Sequence, residues 1–140
     1  MGNNLSINKI NFEDMQYYIK RNEIIISTLP ITNQSCLIKN TLDPNLEIDR
    51  INSLIKKDRN IKIIIYGMNS SDDTLIKKYI QLNKLGFLNV SVYIGGLFEW
   101  LLLQDVFGNT EFPTTSQELD ILKYKGNSKI KHFLISNGSS

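Results

Sequence analysis

Apolar positions recur along this chain in two rhythms, one helical and one strand-like, and the two alternate. Phe12, Met15, Tyr18 and Ile19 fall at helical spacing behind Asn11, a natural N-cap, with Glu13 and Asp14 in the first turn. That pattern predicts a helix over 12–20. Residues 24–29 form a β-branched apolar run ended by Pro30, which predicts a buried strand. Cys36, Leu37 and Ile38 read as a short strand. Asp43-Pro44 reads as an N-cap followed by Pro at the first helical position. Ile48, Ile51, Leu54 and Ile55 then mark one face of a helix that closes at Lys56, Lys57 and Asp58. Residues 61–66 are the strongest strand, too continuously apolar for a wet edge, and belong at the centre of a parallel sheet. A polar loop, 67–73, leads into a helix built on Leu75, Ile76, Tyr79, Ile80, Leu82 and Leu85 and stopped by Gly86. Residues 90–94 predict another strand. Gly95-Gly96 then turns the chain into a nearly all-apolar, buried helix over 97–103. A Pro-fixed turn at 112–115 and a short helix over 116–123 complete the series.

Strands alternating with helices predict an α/β fold with a doubly wound, mainly parallel sheet. The length, 140 residues, suits one domain. Its bounds are read as 8–125, with a flexible start at 1–7 and a basic, loosely ordered tail at 126–140. No apolar run approaches the roughly 20 residues of a membrane span. Cys36 is the single cysteine, so no internal disulfide forms and a reducing cytoplasm is expected. With one histidine, His132, a Cys/His zinc site is excluded, and neither metal nor cofactor is expected. The net charge of +2 gives no reason to expect nucleic acid. Its distribution is uneven: Lys123, Lys125, Lys129 and Lys131 all follow the last acidic residue, Asp120.

One ordered series goes beyond fold class. An apolar strand ends in Tyr66, and a short loop and a helix follow. Leu85-Gly86-Phe87 precedes Asn89-Val90, and a strand runs into Gly95-Gly96-Leu97, with Trp100 four residues after Gly96. This series resembles the C-terminal half of rhodanese-like domains. The run from Gly95 through Asp105 to Thr115 resembles a rhodanese-like subfamily of large DNA viruses and protists. The resemblance implies a three-layer fold with a five-stranded parallel sheet flanked by helices. It also implies a loop whose amides converge on one point at a helix N-terminus, where a cysteine carries a persulfide.

Here the first loop position is Gly67, and no cysteine follows Cys36. The rest of the loop is Met68, Asn69, Ser70, Ser71, Asp72 and Asp73. A serine forms no persulfide, and no histidine stands by to activate one. Two carboxylates at the loop end oppose anion binding, and Ser70, Ser71 and Asp72 are expected to cap the next helix. Cys36 reads as a small buried core residue, Trp100 as core, and Glu99 as solvent-facing without a visible partner.

Met1-Gly2-Asn3-Asn4-Leu5-Ser6 matches the N-myristoylation pattern, with Gly2 as acceptor. A single chain binds membranes only marginally, so the lysine tail would have to add attraction to an anionic membrane surface. The reading is a catalytically silent rhodanese-like module with a protein partner of unknown identity, cytoplasmic or peripheral to a membrane. The alternative is an active sulfurtransferase using Cys36 or a partner's thiol. A phosphatase-like reading would need Cys and Arg in the loop, and neither is there.

Overall fold

Four consecutive side chains of β3 (Ile63–Tyr66) are all fully buried, which requires cover on both faces of the sheet. In the computed structural model, which describes residues 6–130, β3 lies between β4 (Val90–Tyr93) and β2 (Ile24–Ser27). A two-residue strand, β1 (Lys9–Ile10), completes a sheet of order β1-β4-β3-β2, parallel throughout. Successive strand residues point to opposite faces. Ile25, Ile64, Tyr66 and Tyr93 meet α1 (Phe12–Lys20) and α4 (Gly96–Phe107). Ile26, Ile63, Ile65, Val90 and Val92 meet α2 (Pro44–Lys57) and α3 (Thr74–Lys84). The result is three layers, helix–sheet–helix.

Local signals set the helix starts. Asn11 and Asp14 form a reciprocal capping box on α1, with Asp14 N donating to Asn11 Oδ1 at 3.0 Å. Asp43 accepts from Asn45 N at 2.9 Å ahead of Pro44. Gly86, at φ +98°, ends α3 in a conformation that disfavours a Cβ.

The sheet has four strands where five were expected. The fifth shrinks to a single bridge, Ile25 with Thr41. Asn40, at φ +70°, bends the chain just before that bridge, and Asp43 already caps α2 just after it, so no room for a ladder remains. Cys36 to Ile38 likewise form no strand; Ile38 makes an isolated antiparallel bridge with Thr114. The strand expected over 90–94 ends at Tyr93. The helix expected over 116–123 is a 3-10 turn at Ile121–Tyr124. Side chains compete for the backbone there: Thr114 Oγ1 donates to Ser116 O at 2.7 Å, and Asp120 N donates to Glu118 at 3.2 Å.

The apolar helix α4 is buried on one side only. Leu97, Trp100 and Leu101 face the core, while Val106 and Phe107 are 71% and 62% exposed. No helix among the described residues is long and apolar enough to cross a membrane.

Candidate functional site

The loop that follows β3 sits at the carboxyl ends of the strands, where parallel α/β sheets bind ligands. Tyr66, the last residue of β3, is fixed first. Its hydroxyl accepts from Ile38 N at 3.1 Å and lies 2.7 Å from Thr41 Oγ1, which donates to Ile38 O at 2.5 Å. Burial raises the Tyr66 pKa above the ordinary tyrosine value, so the phenol stays protonated.

Gly67, the position where the resemblance expects a cysteine, is buried. A Cβ placed there would lie 2.6 Å from Asp72 Oδ2 and 3.0 Å from Thr28 Oγ1. Asp72 is not at liberty to move away. Its Oδ2 accepts from Met68 N at 2.9 Å. Its Oδ1 accepts from Thr74 N at 3.0 Å and from Thr74 Oγ1 at 2.6 Å. Ser71 N donates to Asn69 Oδ1 at 2.9 Å, and Asp72 N donates to Asn69 O at 3.2 Å. The amides of Met68, Ser71, Asp72 and Thr74 are therefore turned onto groups of the loop itself, and the carboxylate among them is already an anion.

Two expectations change in consequence. Asp72 alone caps α3; Asp73 occupies the N-cap position without a side-chain bond, and neither serine caps. Nor do both carboxylates face the nest, because Asp73 turns to solvent and meets Lys77 at 4.0 Å.

Two other segments clamp the loop. The start of α4 approaches closely enough for Leu97 N to donate to Gly67 O at 3.0 Å and Phe98 N to Met68 O at 2.9 Å. Gly96 makes this possible: it sits at φ +70°, and a Cβ there would fall 2.7 Å from Gly67 O. From the other side, buried Asn69 donates through Nδ2 to Tyr124 O at 2.8 Å. This bond ties the 3-10 turn near the C-terminus to the loop. Between loop and turn lies a cleft of about 520 Å³, walled by Met68, Ser71 and Asp72 on one side and Lys123, Lys125 and Lys129 on the other.

Cys36 lies elsewhere, 1% exposed in the layer beneath α1 and α4. Its Sγ donates to Ser116 O at 3.3 Å, and burial pushes the thiol pKa up. A reactive thiol needs the reverse: exposure, donors and a lowered pKa. Trp100 is fully buried, and its Nε1 donates to Pro113 O at 3.1 Å. Glu99, expected to face solvent without a partner, is half-buried and accepts from Tyr93 OH at 2.6 Å. Burial first, then the neighbouring Glu99, raises the Tyr93 pKa. The bracing of the loop by Asp72, Gly96 and Tyr124 was missed in the sequence; an acidic residue six positions after the strand and a second glycine at 96 were its only signals.

The cleft lysines and Ser6 stand at opposite ends of the sheet. Ser6, whose carbonyl accepts from Tyr79 OH at 2.9 Å, precedes β1 and so lies at the amino ends of the strands. The lysine cleft lies at their carboxyl ends. Gly2, Lys131 and His132 lie outside the described residues.

Solved structures share this architecture. The Alr3790 protein of Anabaena sp. matches with TM-score 0.58 at 18% identity, over 81% of this chain and 97% of that one. A solution structure of the rhodanese-like domain from the same protein matches with TM-score 0.59 at 18% identity, over 88% and 87%. The Saccharomyces cerevisiae protein Ygr203w, described as a protein tyrosine phosphatase of the rhodanese family, matches with TM-score 0.57 at 15% identity, over 84% and 99%. Among curated proteins there is no match. The family model for the rhodanese-like domain matches residues 29–103, more than half of the chain and the whole span from β2's end into α4. This chain belongs to the rhodanese-like family.

Proposed function

We propose that this rhodanese-like domain is catalytically silent and serves as a cytoplasmic binding or regulatory module for a protein partner. The observation that carries the reading is the Asp72 carboxylate. It accepts bonds from Met68 N and Thr74 N in a loop that has Gly67 where a sulfur carrier would stand. Persulfide chemistry needs a thiolate and an anion nest together. This loop has no thiol, and its nest is filled from within. Sulfur transfer through Cys36 is opposed by that residue's burial and raised pKa. Phosphatase chemistry of the kind named for the yeast neighbour is opposed by the lack of Cys and Arg between Gly67 and Asp73.

The test is turnover of thiosulfate with cyanide by the purified protein. The expected rate equals that of buffer. Turnover that Cys36→Ser abolishes would replace this reading with the active-enzyme one.

Membrane attachment through Gly2 is a separate proposal, supported by the sequence pattern alone. Ser6 lies at the amino ends of the strands and the cleft lysines at the carboxyl ends, which speaks against both acting on one surface. A lone myristoyl chain binds bilayers with K on the order of 10⁴ M⁻¹. Liposome binding by the myristoylated protein is therefore expected to be weak and insensitive to salt. Strong binding that salt abolishes would show the lysines acting at the membrane.

A further inference from the structure

The geometry points to the cleft between the β3–α3 loop and the C-terminal turn as a binding site for a phosphomonoester group, held by Lys125, Lys129 and the Ser71 hydroxyl. The inference rests on the silent-module reading, since it gives the loop a ligand in place of a reaction.

Three observations carry it. First, the walls come from segments some fifty residues apart in the chain, and a buried bond, Asn69 Nδ2 to Tyr124 O, fixes them against each other. The cleft is thus a feature of the fold. Second, its charges are unevenly spent. Lys123 is paired with Glu118, and the Asp72 carboxylate, which keeps its charge, is turned onto the amides of Met68 and Thr74. Lys125 and Lys129 have no acidic partner among the described residues, and Ser71 Oγ has no hydrogen-bond partner there. Two lysines without acidic partners and a serine therefore line a space of about 520 Å³. Third, the opposite wall includes half-buried Met68, an apolar surface for whatever carries the charged group.

The charge count selects the ligand class. Two ammonium groups are matched by a dianion, and a hydroxyl adds a donor for a third oxygen. A phosphomonoester has about two charges at pH 7 and three terminal oxygens. A carboxylate has one charge and two oxygens and leaves one lysine unmatched. The volume exceeds that of a phosphate ion, so the group is borne on a larger body. A phosphorylated side chain of a protein partner and a phosphorylated small molecule both supply this chemistry.

The test is calorimetric titration of the full chain with inorganic phosphate, adenosine monophosphate and a short phosphoserine peptide, the unphosphorylated peptide serving as control. Saturable binding of at least one phosphate probe is expected, with chemical-shift changes at the Ser71 and Gly126 amides. Lys125→Gln/Lys129→Gln is expected to weaken it about tenfold, with Lys84→Gln, at the far end of α3, without effect. Affinity is expected to fall as pH drops below about 6, where the phosphate loses its second charge. The tighter of nucleotide and peptide identifies the source. Absence of binding at millimolar concentrations overturns the inference. So does binding that survives the double lysine substitution. Neither result bears on sulfur transfer, which the turnover assay decides by itself.

Discussion

The loop after β3 and the pocket around Cys36 each hold half of what sulfur transfer requires. The loop has amides at the start of α3 but no thiol, and the Asp72 carboxylate already accepts from those of Met68 and Thr74. Cys36 has the sulfur, but it is buried and donates to an acceptor, Ser116 O, and the neighbouring Thr114 and Ser116 hydroxyls do not offset the burial that raises its pKa. The difference teaches that a thiol's identity and a thiol's reactivity are separate properties. Reactivity comes from donors and exposure, and here those stand on a different segment from the cysteine.

The comparison breaks most severely at Gly96. Alanine there meets a positive φ and a backbone oxygen 2.7 Å from its Cβ, so the clamp of α4 on the loop has to open. A loss of about 3 kcal/mol or more is expected in the urea unfolding midpoint, with Cys36 still inaccessible below the transition. A smaller loss would mean that α4 tolerates a shift away from the loop.

Asp72→Ala sharpens the comparison by emptying the nest. Two loop amides lose a charged acceptor, for an expected cost of about 2 kcal/mol. Gly67→Cys sets the same contact in reverse, since the new Cβ must expel that carboxylate. It is expected to cost about 1–3 kcal/mol alone and less in the Asp72→Ser background. Additivity of the two changes would show that position 67 and Asp72 are not in contact.

The Cys36 side has a smaller effect. Cys36→Ala is expected to cost about 1 kcal/mol, as a shallow buried truncation. The buried thiol is held above its ordinary pKa of 9.0, so the native state keeps a proton that the unfolded chain releases. Stability is then present below about pH 9 and declines as pH rises beyond it. Cys36→Ala removes this residue's share of the decline. A thiol reagent is expected to label Cys36 only after unfolding. Fast labelling of the native protein would remove the contrast between the two regions.

Most of the architecture was legible because each layer leaves a periodic trace. The all-apolar run ending in Tyr66 was placed centrally and is central. The caps at Asn11 and Asp43 are where their residue types put them. β1 escaped notice because two residues, Lys9 and Ile10, carry no period. The fifth strand was expected from the resemblance, and the turn at Asn40 removes it. At the site, the glycine at 67 was visible as a letter. The bonding of Asp72 was not, because Asp72 as a helix cap and Asp72 as an acceptor for Met68 N share one sequence. The arrival of Lys125 and Lys129 over the loop depends on a contact some fifty residues away in the chain, Asn69 with Tyr124, which no local pattern encodes.

The most direct test is intact-mass measurement after incubation with thiosulfate, on the native protein, Cys36→Ser, and Gly67→Cys/Asp72→Ser. The account predicts no mass gain for the native chain or for Cys36→Ser. It predicts gain of one sulfur atom for the double variant, whose loop has both a thiol to attack the outer sulfur of thiosulfate, releasing sulfite, and vacated amides. A one-sulfur gain on the native protein that Cys36→Ser removes would contradict it.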